Sequence, residues 1–165
     1  MRSYFVLFII GILLVSFSCK QDPCATKEGF LTSFENFTTE YEEKKSDLTD
    51  NEKAVFMERF KHLVNGCYKK YKPDMTLSEK QEFWKKGLSY YMSKFSNDDD
   101  IDLSKELEDP FGQYIKEEVI ALVKESGFEF LSSLQEVVEL ELPKLMEVFS
   151  KEIQNMGQEI LDLFK

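Results

Sequence analysis

Residues that break helices are scarce in this chain, which has seven glycines and four prolines among 165 residues. A sheet with many tight turns needs more of both residue types, so the composition disfavours an all-β fold. Glu, Lys, Leu and Phe predominate instead, and apart from Phe these are good helix formers. The composition therefore predicts an all-α protein.

Residues that carry familiar catalytic chemistry are also few. The sequence contains no CxxC pair, no HExxH motif and no glycine-rich phosphate loop. His62 is the one histidine, whereas a zinc enzyme needs two or three nitrogen or sulfur ligands and a catalytic triad needs a base beside its nucleophile. Glu58 lies one helical turn before His62, a spacing typical of a solvated side-chain contact. Neighbouring acids such as Glu117 and Glu118 are expected on polar helix faces. We therefore expect a protein that is not an enzyme and has no cofactor.

Basic residues are fewer than acidic ones. The sequence has 21 basic and 31 acidic residues, and the formal net charge is −10. Binding to a phosphate backbone relies on clustered lysine and arginine. Nucleic acid is therefore an unfavourable partner. An anionic lipid surface is disfavoured for the same reason.

The N-terminus has the form of an export signal. A short cationic start precedes an apolar run from Tyr4 to Phe17, which is too short for an ordinary membrane-spanning helix. The run ends in Ser16-Phe17-Ser18-Cys19, which resembles the lipobox of bacterial lipoproteins, with serine where leucine is usual and a bulky Phe17. We predict a signal peptide over residues 1–18 and lipidation of Cys19. A plain secretory signal and an uncleaved anchor are the alternatives. The predicted location is the cell envelope, with a lipid anchor in the outer membrane and the domain on its periplasmic or surface side.

Cys24 and Cys67 remain once Cys19 carries lipid, and an even pair in an oxidising compartment can form a disulfide. In a helical hairpin that turns near Asp47, the two positions differ by less than one helical turn in height. The alternative is that Cys67 is a free buried thiol that packs as a small hydrophobe.

Residues 19–26 are predicted to form a tether. The spacing of the apolar residues after it predicts an N-terminal bundle of three antiparallel helices over residues 27–96. Two capping boxes, Thr49 with Glu52 and Thr76 with Glu79, mark the starts of the second and third helices. The first helix is predicted over residues 27–44. The predicted apolar faces are Phe30, Phe34, Phe37 and Tyr41; then Phe56, Phe60, Leu63, Val64, Cys67, Tyr68 and Tyr71; then Leu77, Trp84, Leu88, Tyr91, Met92 and Phe95.

Residues 97–109 form an acidic segment that we interpret as a solvated linker. A calcium loop is the weaker alternative, because leucine at 103 replaces the glycine that such a loop needs for its sharp turn. The ligands of that loop would be Asp98, Asp100, Asp102 and Asp109.

Residues 110–165 are predicted to form long amphipathic helices. Their last part carries an apolar seam with spacing close to a heptad, and we predict that it packs mainly against residues 111–141 and leaves a patch for a partner. The seam consists of Leu142, Leu145, Phe149, Ile153, Met156, Ile160 and Leu163.

Three segments carry a family resemblance. The aromatic run that starts at Phe30-Leu31, the stretch Tyr68-Lys69-Lys70-Tyr71 and the stretch Thr76-Leu77-Ser78-Glu79-Lys80 resemble small lipoproteins of Bacteroidota with a helical domain of unknown function. The resemblance covers residues 26–95. It implies an envelope lipoprotein with a helical domain and supplies no catalytic residue.

The function expected from these patterns is a helical module that binds another envelope protein and is anchored to the membrane by its N-terminal lipid. A carrier of a lipid or hydrophobic ligand in an aromatic-lined cavity is the alternative. A filled core favours the binding module, whereas a closed cavity of several hundred cubic ångströms favours the carrier. The sequence makes no prediction about oligomeric state.

Overall fold

Helices make up nearly all of the part of the chain that the computed structural model describes, residues 22–93 and 108–135, and these ranges contain no strand. The predicted all-α fold class is confirmed. The elements are α1 (Lys27–Lys44), α2 (Asp50–His62), a π-helical segment (Leu63–Tyr68), α3 (Lys69–Tyr71), a 3-10 turn (Lys72–Asp74), α4 (Leu77–Ser93), α5 (Pro110–Ser126) and α6 (Phe128–Gln135).

Both predicted capping boxes are present. The Thr49 N–H donates to the Glu52 carboxylate over 2.9 Å, while the Glu52 N–H donates back to the Thr49 hydroxyl. The same exchange between Thr76 and Glu79 has distances of 2.7 and 3.2 Å. Each box satisfies backbone donors that the first helical turn leaves without partners, which fixes where α2 and α4 begin.

The helix α2 returns alongside α1. The rings of Tyr41, late in α1, and Phe56, early in α2, have centroids 5.6 Å apart. One turn earlier in α1 and one turn later in α2, the Phe37 and Phe60 rings are 6.0 Å apart. Contacts therefore join the end of one helix to the start of the other, as a helical hairpin requires.

The helix α4 lies along α1 in the same direction. The Lys27 ammonium, at the start of α1, pairs with Glu79 at the start of α4 over 2.9 Å. At the other end, the hydroxyls of Tyr41 and Ser93 are 2.7 Å apart. Because α4 also contacts α2 and α5, it buries more than the one face predicted for it. Its buried residues are Phe83, Trp84, Gly87, Leu88, Tyr90, Tyr91 and Met92.

The helix α5 packs on the N-terminal helices and shares their core. The Phe111 ring lies 5.8 Å from Phe60 and 6.1 Å from Tyr91, and the Tyr114 ring lies 6.5 Å from Trp84. The helix ends at Gly127, whose positive φ of 67° lies in a region that favours glycine. One apolar cluster therefore extends from α1 to α6.

None of the helices within residues 22–93 and 108–135 has the length and apolar character needed to span a membrane.

Candidate functional site

Several predicted site residues lie outside the described residues. They are Cys19, Asp98, Asp100, Asp102, Leu142, Leu145, Phe149, Ile153, Met156, Ile160 and Leu163. Asp109 is described, and its carboxylate accepts a hydrogen bond from the Gly112 N–H, which caps α5. This cap accounts for the aspartate at position 109.

A disulfide joins Cys24 to Cys67, the pairing expected from the cysteine count. Cys24 lies in the turn before α1 and Cys67 lies in the π-helical segment, with their Cα atoms 4.8 Å apart. Both side chains are buried. The bond therefore ties the N-terminal turn to the helix that returns beside α1.

The turn that carries Cys24 is also held by hydrogen bonds. The Cys24 carbonyl accepts from the Lys70 ammonium over 2.7 Å and from the Tyr71 hydroxyl over 2.9 Å. The Cys24 N–H donates to Asp22 Oδ1 over 2.9 Å. These bonds hold both the N–H and the carbonyl of Cys24, so the position of this residue does not depend on the disulfide alone.

His62 lies beside this disulfide. Its Nε2 is 3.8 Å from Cys24 Sγ, and its side chain is exposed. The Glu58 carboxylate, which sequence spacing placed beside His62, instead accepts from Lys61 over 3.2 Å. His62 therefore contacts a cysteine sulfur, whereas Glu58, the partner that sequence spacing indicated, pairs with Lys61.

The π-helical segment accounts for the position of Cys67. Its hydrogen bonding is of the i to i+5 type, as the Lys69 N–H donates to the Val64 carbonyl. Such a turn brings residue i+5 close to residue i, so Cys67 returns toward His62. An ideal α-helix would separate those two side chains by more than a third of a turn. π-helical turns of this kind occur often at functional sites.

A groove of about 730 Å³ lies between α1 and α2, and His62 is part of its lining. Val55, in its wall, is a large hydrophobic side chain with 59% of its surface exposed. Arg59, also in the wall, pairs with Glu40 over 2.8 Å and lies over the rings of Phe37 and Phe56. The groove is lined by Pro23, Ser33, Asn36, Ala54, Val55, Glu58, Arg59, His62 and Leu63.

Glu118 departs from the expectation for neighbouring acids on polar helix faces, because it is 7% exposed whereas Glu117 is exposed. It accepts a hydrogen bond from the Tyr68 hydroxyl over 3.0 Å and pairs with the Lys72 ammonium over 2.7 Å. Burial raises the pKa of the Tyr68 hydroxyl, and the adjacent carboxylate adds to the rise. These partners satisfy a carboxylate that would otherwise be costly to bury.

The aromatic stripes form the core. Phe30, Phe37, Phe60 and Trp84 have no exposed surface. Their rings contact other rings across the helices, for example Phe34 with Phe83 at 4.2 Å between centroids and Tyr68 with Phe83 at 4.6 Å. At these positions the side chains fill space between helices, as aromatic residues at helical spacing usually do.

Comparison of the chain with protein-family models, with curated proteins and with solved structures finds no match. The likeness to small Bacteroidota lipoproteins therefore stays a prediction.

Two features of the site were missed from the sequence. Cys24 contacts His62 and is bonded to Cys67, which a π-helical turn brings toward His62, and α-helical spacing does not reveal that turn. The burial of Glu118 had a weak indication, because it belongs with Ile115, Val119 and Leu122 on the buried face of α5. A polar residue within an apolar stripe is a reason to look for a buried partner.

Proposed function

We propose that this chain is a lipid-anchored protein of the bacterial cell envelope whose helical domain binds another protein and performs no catalysis. The observation that carries the proposal is the apolar run from Tyr4 to Phe17 that ends directly at Ser18-Cys19. The disulfide between Cys24 and Cys67 supports it, because disulfides persist in oxidising compartments outside the cytosol.

A binding module is favoured over a hydrophobic-ligand carrier by the packing of the aromatic residues. Phe30, Phe37, Phe60 and Trp84 are fully buried in ring-to-ring contact, so these side chains serve the core. The predicted binding face is the apolar seam at residues 142–163. A seam that mixes Lys151, Glu152 and Glu159 among its polar positions has no excess of basic residues, which is typical of a helix that faces protein.

Lipidation is tested by mass spectrometry of the protein purified from envelope of a bacterium that makes it. We expect a mature chain that begins at Cys19 with a diacylglyceryl group on its sulfur. The Cys19→Ala variant should stay unprocessed, whereas Cys24→Ala, the matched control, should be lipidated normally. A mature chain that begins elsewhere, or an unmodified Cys19, would contradict the anchor.

Partner binding is tested with the lipidated protein, by in-cell crosslinking and capture of the crosslinked protein in both directions. Phe149→Asp with Ile153→Asp places charge in the predicted seam and should abolish the specific crosslink. Val55→Asp makes the same change at an exposed position on α2 and is the control. Loss of the crosslink with Val55→Asp alone would locate the binding face on the groove between α1 and α2. A crosslink that survives all these substitutions would argue against a protein-binding function for either surface.

A further inference from the structure

Three side chains of the kind that bind soft metal ions meet where the N-terminal turn contacts the π-helical segment. The sulfurs of Cys24 and Cys67 and a ring nitrogen of His62 all lie within 4.8 Å of one another. The separation between Cys24 Sγ and His62 Nε2 is 3.8 Å. In a tetrahedral zinc site, bonds of about 2.3 Å to sulfur and about 2.1 Å to nitrogen place neighbouring ligand atoms about 3.5 to 3.8 Å apart. The sulfur and nitrogen are therefore already spaced as two ligands of one ion.

Gly66 keeps space open between these groups. A Cβ at this position would lie 3.4 Å from Cys24 Sγ and 3.5 Å from the His62 ring. An alanine methyl would therefore be in van der Waals contact with both ligands. The absence of a side chain at Gly66 leaves the sulfur and the imidazole room to adjust around an ion.

Burial and access at the cluster also suit a metal site. Cys67 is fully buried and Cys24 is 8% exposed, whereas His62 is exposed and lines the groove between α1 and α2. A hydrated ion can reach the cluster from the groove, and a water molecule from that side can complete a four-coordinate site. Three protein ligands with a fourth position open to solvent is a known arrangement for zinc.

We propose that Cys24, Cys67 and His62 bind a zinc-class divalent metal ion when the disulfide is reduced. A dithiol reductant gives two electrons and two protons to the disulfide, which becomes two thiols while the reductant becomes a disulfide. Each thiol then releases one proton as its thiolate binds the ion, and His62 binds through neutral Nε2. Sulfur and imidazole ligands select zinc-like ions over magnesium or calcium. The disulfide is the metal-free form of the same residues.

Other contacts hold the ligands near one another after reduction. The hydrogen bonds from Lys70 and Tyr71 to the Cys24 carbonyl do not involve sulfur. Cys67 and His62 are fixed by the helix in which they lie. To admit the ion, the distance between the two sulfurs must increase, and the Cys67 sulfur and the His62 ring nitrogen, which lie within 4.8 Å of each other, must reach ligand spacing as well.

The test uses the full chain in detergent, with Cys19→Ser in every sample so that Cys24 and Cys67 are the only thiols. Reduced protein, freed of reductant under anaerobic conditions, is titrated with Co²⁺ and then with Zn²⁺. We expect one Co²⁺ per chain, with thiolate-to-cobalt absorption and the visible bands of a tetrahedral ion, and displacement by Zn²⁺. The oxidised protein should give none of these bands. His62→Ala should weaken binding by about tenfold or more, since even the loss of a residue that only orients a metal ligand has an effect of that size.

Glu58→Gln, which changes a residue of the same groove outside the ligand set, should bind as the wild-type chain does. The proposal is overturned if the reduced protein shows no thiolate-to-cobalt bands, or if His62→Ala binds with unchanged affinity. Circular dichroism follows the helix content of each sample. If reduced His62→Ala loses helical structure, alkylation rates in the wild-type chain decide instead: Zn²⁺ should slow the alkylation of Cys24 and Cys67, and unchanged rates contradict the site.

Discussion

The Tyr68 hydroxyl donates a hydrogen bond to Glu118 over 3.0 Å, a contact between residues 50 positions apart in the chain. Tyr68 lies in the π-helical segment and has no exposed surface, while Glu118 lies on the buried face of α5. The second oxygen of the carboxylate accepts from Lys72 over 2.7 Å. A polar contact thus joins α5 to the N-terminal helices in addition to the apolar core.

Replacement of Glu118 by alanine should lower the free energy of unfolding by about 1 to 3 kcal/mol. The substitution leaves the buried Tyr68 hydroxyl without its acceptor, and an unsatisfied buried donor costs about that much. Urea denaturation gives the comparison. Glu117→Ala, at the exposed neighbouring position, should stay within about 0.5 kcal/mol of wild type. Equal effects of the two substitutions would show that the buried contact contributes nothing to stability.

Phe60→Ala should be among the more destabilising single changes, with a loss of about 3 to 5 kcal/mol. The Phe60 ring is fully buried and contacts Phe37 of α1, Tyr90 of α4 and Phe111 of α5. Its removal leaves a cavity where these helices meet. Val55→Ala, in the exposed part of α2, is the matched control and should change stability little. A loss below about 1 kcal/mol in Phe60→Ala would indicate that the ring does not join these helices.

Loss of the disulfide should destabilise the domain by about 4 kcal/mol on the loop-entropy model, given the separation of 43 residues between the cysteines. The measurement is the shift in urea midpoint between oxidised wild type and Cys24→Ala with Cys67→Ala, in buffer free of metal ions. Reductant should shift the wild-type midpoint and leave that of the double variant unchanged. Similar midpoints for the oxidised wild type and the double variant would contradict the bond.

The protein should lose stability at alkaline pH. Burial raises the pKa of the Tyr68, Tyr90 and Tyr114 hydroxyls above the ordinary value near 10. Below pH 10 these groups are protonated in both the folded and unfolded states. Above it the unfolded chain releases protons that the folded protein retains, so stability falls as pH rises from about 10 toward the higher folded-state values.

The alkaline transition is followed by tyrosinate absorbance and circular dichroism in parallel. We expect part of the tyrosinate signal to appear together with the loss of helix. Complete ionisation of all tyrosines near pH 10 with the helices intact would contradict the burial of these hydroxyls.

Much of the fold follows from local patterns in the sequence. The predicted first helix at residues 27–44 is confirmed, because Phe30, Phe34 and Phe37 share one face and Thr26 caps its start. The two capping boxes placed the starts of α2 and α4 correctly, since a reciprocal hydrogen bond between a threonine and the third residue after it is a local interaction.

The remaining features depend on contacts between distant residues. The apolar spacing does not predict the π-helical turn that brings Cys67 toward His62. An α-helix and a π-helix would both place Leu63, Val64 and Cys67 on the same buried side. The wider buried surface of α4 reflects its contacts with several helices at once. Neither the apolar spacing of a helix nor its capping residues predict how many other helices it will contact.

The bond between Cys24 and Cys67 also decides where a mechanical load would enter the domain. A pull on the chain before residue 24 passes through the sulfur atoms into the π-helical segment, and α1 is bypassed. The first helix therefore does not unwind from its N-terminus under tension, since the covalent link carries the force to Cys67, in a helix that is packed against the core. Reduction would redirect the same force first onto the hydrogen bonds from Lys70 and Tyr71 to the Cys24 carbonyl, and then onto the first turn of α1, which Thr26 caps. Tension and thiol chemistry are thus coupled at one point of the fold.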